Sequence, residues 1–294
     1  MQHRLLSYSR KIRIAHFFRR CAGTNTSAPV DQRLYSAPVI ILVRTSLADN
    51  IGSTARAMLN CGMNELRLVQ PECVWPSERA RAIAVGAASI LESARIFPDL
   101  RSAVADLHHV YATTARARSD DVVQHKPVLE IKDASVDMLE MRAQQRSVGI
   151  IFGPEATGLS TDDLTFTNAL VYINMNPQFS SLNISQAVLL TGYEWMRHAR
   201  EDSSQRTENQ ENSSQDMSLL FRQSSAAEPT MADIDVLVKR LETALQIPLP
   251  SSHKETQRDL VVKRFRSLLM RTGVKRTDIA LFHSILEMLT RKTQ

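Results

Sequence analysis

The run Val39-Ile40-Ile41-Leu42-Val43 is apolar at five successive positions. A strand with one face in water alternates polar and apolar residues. An unbroken run of strand length belongs instead to a strand covered on both faces. That requirement calls for helices on both sides of a largely parallel sheet. The residues that follow agree. Ile51, Ala55, Met58 and Leu59 share a helical face, with Gly62 as its stop, and Leu66 to Val69 forms a second strand closed by Pro71. This is a βαβ unit.

The pattern continues. An Ala-rich helix is predicted from Glu78 to about Ser93, and strands over His109–Thr113, Val148–Phe152 and Leu170–Ile173. A helix is predicted from Ile184 to about Arg197, with Ile184, Ala187, Val188, Thr191 and Trp195 on one face. Residues 39–200 therefore read as one α/β domain. Residues 201–230 are Ser-, Gln- and Glu-rich and read as a polar flexible linker. Residues 231–294 hold three amphipathic sets. They are Met231, Ile234, Leu237, Val238, Leu241 and Leu245; Leu260, Val261, Phe265, Leu268 and Leu269; and Ile279, Phe282, Ile285, Leu286 and Leu289. Thr277 or Asp278 is the expected N-cap of the third. The tail is thus a small helical unit, and its middle helix carries Lys263, Arg264, Arg266 and Arg271.

Charge is spread unevenly over the 294 residues. Residues 1–38 carry seven Lys/Arg and one acid, and residues 231–294 carry 12 basic and seven acidic groups. Residues 39–200 carry 15 basic and 17 acidic groups, and residues 201–230 two basic and six acidic. The basic excess lies at the two ends, as a nucleic-acid footprint outside the core or as solvated helical surface. The first 30 residues contain no Asp or Glu. They read as an organellar transit peptide, an RNA-contacting arm or an upstream start, and residues 1–38 are expected to be a basic, poorly ordered extension. No apolar run reaches the roughly 18 residues of a membrane span. Cys21, Cys61 and Cys73 lack CxxC spacing, which suits incidental thiols in a reducing setting. A cytoplasmic protein is expected, or an organellar one if the N-terminus is a transit peptide.

Several chemistries lose their signatures. There is no G-x-G-x-x-G, Walker A loop, H-E-x-x-H or G-x-S-x-G. His108 and His109 would point to opposite faces of a strand, and no metal site or paired-carboxylate site is expected. What remains is polar loops at strand ends, where ligands bind in open α/β sheets. In Gly153-Pro154-Glu155-Ala156-Thr157-Gly158-Leu159 the glycines permit close backbone approach to a ligand, or form a tight turn before a helix capped by Asp162 and Asp163. Ser180-Ser181-Leu182-Asn183 gathers hydroxyls and an amide at a helix start. N-capping accounts for one of them. Arg56, one turn past Gly52, either reaches ligand or phosphate above the sheet edge or is a surface residue.

Three stretches carry a family resemblance together: Asn50-Ile51-Gly52-Ser53-Thr54-Ala55-Arg56-Ala57-Met58; Phe152-Gly153-Pro154-Glu155 with Gly158-Leu159; and Asn176-Pro177 with Ser180-Ser181-Leu182-Asn183. In order and spacing they resemble the SPOUT superfamily of S-adenosylmethionine-dependent RNA methyltransferases. Within it they are most similar to the TrmH-like branch and the TrmJ family. Gly86-Ala87 and Thr113-Thr114-Ala115-Arg116 match further, and the tail resembles the TrmJ C-terminal extension. Ala112 stands where related chains often have Gly.

The resemblance implies an α/β SPOUT fold, a mostly parallel sheet with a C-terminal trefoil knot. It also implies a homodimer with its site between subunits. The implied activity is methyl transfer from S-adenosylmethionine to a tRNA ribose 2′-hydroxyl, at the anticodon-loop pyrimidine numbered 32. Ribosomal RNA as substrate, or a non-catalytic RNA-binding dimer, are the alternatives. Carried over by position, Thr113, Thr114, Ala115, Gly153, Ile173, Ser180, Ser181 and Leu182 would bind the cofactor. Arg56, Ser181, Asn50, Glu155 and Asn183 would form the catalytic set. Removal of residues 231–294 is expected to weaken RNA binding more than cofactor binding.

Overall fold

A computed structural model describes residues 37–114, 126–179, 181–210, 228–245 and 255–291. All of these fall in one unit, Tyr35–Gln294. The strands are β1 (Val39–Val43), β2 (Leu66–Val69), β3 (Arg95–Phe97), β4 (His109–Thr113), β5 (Val128–Glu130), β6 (Val148–Phe152) and β7 (Ala169–Tyr172). The helices are α1 (Ala48–Asn60), α2 (Glu78–Ile83), α3 (Ala88–Glu92), α4 (Leu100–Val104), α5 (Ile131–Ala143), α6 (Thr161–Leu164), α7 (Ile184–Gln210), α8 (Met231–Leu245), α9 (Glu255–Thr272) and α10 (Arg276–Arg291).

The strands make one sheet in the order β3-β2-β1-β6-β4-β7-β5. Every pairing is parallel. β1 and β6 lie side by side at its centre, Ile41 opposite Ile151, and every residue of both is buried. That is why their sequences do not alternate. Ile40, Leu42, Leu66, Leu68, Tyr111, Ile150 and Phe152 face one core with residues of α1, α5 and α7. Val39, Ile41, Val43, Val110, Ala112, Ile151 and Leu170 face the other, with residues of α4 and of the three C-terminal helices.

Those C-terminal helices are built into the second layer. The N–H groups of Met231 and Ala232 donate to the carbonyls of Leu107 and Ala105 at the start of α8. Ile234, Leu237, Val238, Leu269 and Met270 are buried against the sheet. The buried Asn168 side chain accepts from the Val110 N–H and donates to the Met270 carbonyl at 2.8 Å, joining β4 to α9. Arg266 and Asp235 form a buried ion pair, and the Arg266 guanidinium lies 4.6 Å from the Phe166 ring centroid.

Several local expectations change. The Glu78–Ser93 helix is two helices, because Gly86 turns at φ 81° between them. Leu59 points outward, 47% exposed. Strand β7 begins at Ala169 and ends at Tyr172, one residue early at each end. Helix α7 runs to Gln210, into the stretch expected to be linker, and residues 211–227 lie outside the described ones. Asp162 and Asp163 are not the cap of α6. Ser160 is, with Asp163 closing a capping box. Helix α10 begins at Arg276, so Asp278 sits inside its first turn and accepts from the Lys275 N–H. Of the expected extension, residues 1–38, residues 1–36 lie outside the described ones.

Candidate active site

The three motif stretches meet at the carboxyl edge of the central strands, where an open α/β sheet leaves room for ligand. Arg44 to Leu47 lead from β1 into α1, Gly153 follows β6, Thr114 follows β4 and Ile173 follows β7. The meeting is a chain of hydrogen bonds. Asn50 Nδ2 donates to Glu155 Oε1 at 2.6 Å. Asn183 Nδ2 donates to Asn50 Oδ1 at 2.9 Å. Asn183 is also the N-cap of α7. Its Oδ1 accepts from the Ser185 N–H at 2.9 Å and from Ser185 Oγ at 2.7 Å, and Gln186 Oε1 accepts from the Asn183 N–H. One residue from each stretch thus belongs to a single network, across 105 residues between Asn50 and Glu155 and 133 between Asn50 and Asn183.

Two residues outside the three stretches complete the support. Ser46 donates to Glu155 Oε2 through its N–H at 3.2 Å and its hydroxyl at 3.1 Å. Arg44, at φ 49°, makes a two-pronged pair with Asp163 at 3.2 and 2.5 Å. Composition offers no signal for either contact; only their nearness to Asn50 in the chain hints at a role. Partial burial pushes the Glu155 carboxyl up, but hydrogen bonds from Asn50, its own backbone and Ser46 outweigh it, leaving the group below its usual value. Glu155 is therefore an ionised acceptor at neutral pH, a poor proton donor, and a fixed anchor for the two amides.

The glycines of the second stretch serve its own turn. A Cβ on Gly153 would sit 2.5 Å from the Leu159 nitrogen, and Gly158 adopts φ 67°. Gly52 answers to packing as well: a Cβ there would lie 2.3 Å from the Ala80 carbonyl oxygen of α2.

The remaining candidates fall in two groups. Thr113 donates its hydroxyl to the Ile151 carbonyl, and the Thr114 N–H donates to the Val171 carbonyl. With Gly153, the half-buried Ile173 and Leu182, and the exposed Ser181, they lie at the strand edge or on the loop that leads from β7 to α7. Ala115 and Ser180 lie outside the described residues. Arg56 stands apart. It is exposed on α1, and among the described residues it has no hydrogen bond to Asn50, Glu155, Ser181 or Asn183 and no ion pair. Exposed Leu59 lies on the same face of α1, and α7 exposes Leu189 and Tyr193. Of the basic set on α9, Arg266 is turned inward and Lys263 is paired with Asp162 at 2.6 Å. No group of three or more His, Cys, Asp or Glu with metal-binding geometry occurs among the described residues.

The chain is similar to known proteins. A relative from Sodalis glossinidius, named tRNA (cytidine/uridine-2′-O-)-methyltransferase TrmJ, is 37% identical over 168 residues, 56% of this chain and 64% of its own length. One of the same name from Yersinia enterocolitica is 38% identical over 155 residues, 53% of this chain and 58% of its own. The chain thus spans about three fifths of the curated relatives it matches. The crystal structure of TrmJ from Z. mobilis ZM4 superposes with a TM-score of 0.67 at 34% identity, covering 86% of this chain and 99% of that one. The SpoU rRNA methylase family pattern matches residues 37–193, the sheet together with the whole hydrogen-bonded junction. On that match, extending over more than half of its length, the chain belongs to the SpoU methylase family.

Proposed function

We propose that the protein is an S-adenosylmethionine-dependent tRNA ribose 2′-O-methyltransferase acting on the pyrimidine at anticodon-loop position 32. The observation that carries the reading is the Glu155–Asn50–Asn183 chain, which ties all three motif stretches to one strand edge. The TrmJ relatives support tRNA as the substrate class. The edge suits an organic cofactor held by hydroxyls and backbone: Thr113, Thr114, Gly153, Ile173, Ser181 and Leu182 are the residues to hold it, with Ala115 and Ser180 beside them in sequence. A trefoil knot in the C-terminal half of the α/β domain is part of the same reading.

S-adenosylmethionine, when bound, supplies a methyl group on a sulfonium, already electrophilic. The protein's work is to align the ribose oxygen, remove its proton as the O–C bond forms, and hold developing charge. Ser181 is the residue to orient the acceptor. A guanidinium is a poor general base. Arg56 serves by clamping the target phosphate and stabilising alkoxide charge. Arg56 is exposed on α1, free to reach outward, and the reading includes a homodimer in which Arg56 of one protomer completes the site of the other. The apolar rim at Leu59, Leu189 and Tyr193 is the surface to bury.

The test is transfer of a labelled methyl group to total tRNA, followed by mapping of the modified ribose. Methylation at position 32 is expected, with Arg56→Ala losing at least about 100-fold in turnover while dimer and cofactor affinity persist. Transfer to ribosomal RNA instead would overturn the substrate. Absence of cofactor binding would favour a non-catalytic RNA-binding dimer, and loss of the dimer in Arg56→Ala would make that residue structural.

A further inference from the structure

We propose that Ser46 is a positioning residue: its hydrogen bonds to Glu155 hold the carboxylate that orients Asn50 and, through it, Asn183 and the 181–183 loop. This rests on the methyltransferase reading above for its effect on turnover, though not for its effect on the loop.

The argument follows from donors and acceptors. Both oxygens of Glu155 are engaged, Oε1 by Asn50 Nδ2 and Oε2 by the N–H and hydroxyl of Ser46. An amide has a donor end and an acceptor end. With the Asn50 nitrogen committed to the carboxylate, its oxygen faces Asn183. The Asn183 oxygen is committed to Ser185 at the start of α7, so its nitrogen faces Asn50. Flipping Asn50 would set oxygen against carboxylate and nitrogen against nitrogen. An anion at one end and a helix N-terminus at the other therefore give both amides one orientation.

Ser46 is the end of this chain that the three motif stretches do not contain. It is also the one most readily removed. Its side chain is exposed, so Ser46→Ala leaves no buried orphan, and Oε2 keeps the backbone N–H at 3.2 Å. What is lost is one of the two donors to Oε2, the one that together with the backbone N–H fixes where that oxygen sits. The same short loop is also tied to α6, just beyond the second stretch, through Arg44 and Asp163. Chain connection is therefore retained when Ser46 changes, and the effect is confined to orientation.

The experiment uses the full chain with Ser46→Ala and Ser46→Thr, each alone and combined with Glu155→Gln. Ser46→Ala is expected to lower kcat for tRNA methylation about three- to tenfold, the size of one ordinary solvent-exposed hydrogen bond. KM for tRNA should stay the same and the melting temperature should stay within about 2 °C. Ser46→Thr, which keeps the hydroxyl, restores the rate. In Glu155→Gln the alanine substitution adds less than about twofold, since both act on one chain. A ligand-free arm reads the side-chain amide resonances of Asn50 and Asn183 by NMR. Both shift in Ser46→Ala and return in Ser46→Thr. Unmoved Asn183 resonances, or an undiminished effect of Ser46→Ala in the Glu155→Gln background, overturn the proposal. If the unaltered chain methylates no RNA, the parent reading fails by itself, and the amide resonances decide Ser46.

Discussion

Lys126 is 4% exposed, and its ammonium donates to the Thr167 carbonyl. Burial, aided by the charge of Arg271, lowers its pKa to about 7 from 10.5. The unfolded chain therefore binds the proton more tightly than the folded one. Destabilisation is complete below about pH 7 and fades as pH rises from about 7 towards 10.5. Lys126→Met is expected to raise the melting temperature by several degrees at pH 6 and by much less at pH 10. A pH-independent difference between the two proteins in calorimetry would show that the charge is not the cause. At this scale Asn50, Glu155 and Asn183 were legible, because each falls in a recognisable stretch. Ser46 and Arg44 were not. Their partners lie 109 and 119 residues away, and no local pattern records such a contact.

Between elements, Gly52 decides how closely α1 and α2 can approach. Alanine at a helix interior gains about 1 kcal/mol over glycine in propensity. Here the added Cβ would meet a backbone oxygen at 2.3 Å, and a backbone cannot rotate aside as a side chain can. Overpacking of this kind costs about 1–3 kcal/mol, so Gly52→Ala should be a net loss of about 1 kcal/mol, and at most about 2, in urea unfolding. Equal or greater stability would mean that α2 moves freely. The central strands were readable because they are buried on both faces. Strands β3 and β5 are three residues each, too short for a period. Helix α5 follows β5 without a break and exposes Val136 among its apolar residues, which blurs its stripe. The Ala-rich helix was overextended because composition does not show that Gly86 takes a left-handed turn.

For the whole molecule, the C-terminal helices raise the largest question. Amphipathic spacing and basic residues suggest an RNA-contacting appendage. Met231, Ile234, Leu237 and Val238 instead share a core with Ile41, Val43 and Ile151. Deleting residues 231–294 would uncover an apolar sheet face and leave the Asn168 amide without its Met270 partner. The truncated chain is expected to lose soluble yield and cofactor affinity together with RNA affinity. A soluble truncation that binds S-adenosylmethionine normally but RNA poorly would restore the view of a separate RNA-binding tail.

The layered α/β plan, the central strands and the three polar stretches can be read along the chain, because burial on two faces and strand-end loops leave local, contiguous marks. What those stretches do to one another emerges with folding. It made Glu155 an anchor, with Asn50 and Asn183 as its oriented partners. It recruited Ser46, turned Arg266 into the core, and set Arg56 apart. Each of these outcomes depends on which groups meet across more than 30 residues of chain, or, for Arg56, fail to meet. The physical reason is that hydrogen bonds and buried charges are satisfied in space, whereas a sequence displays only its neighbours along the chain.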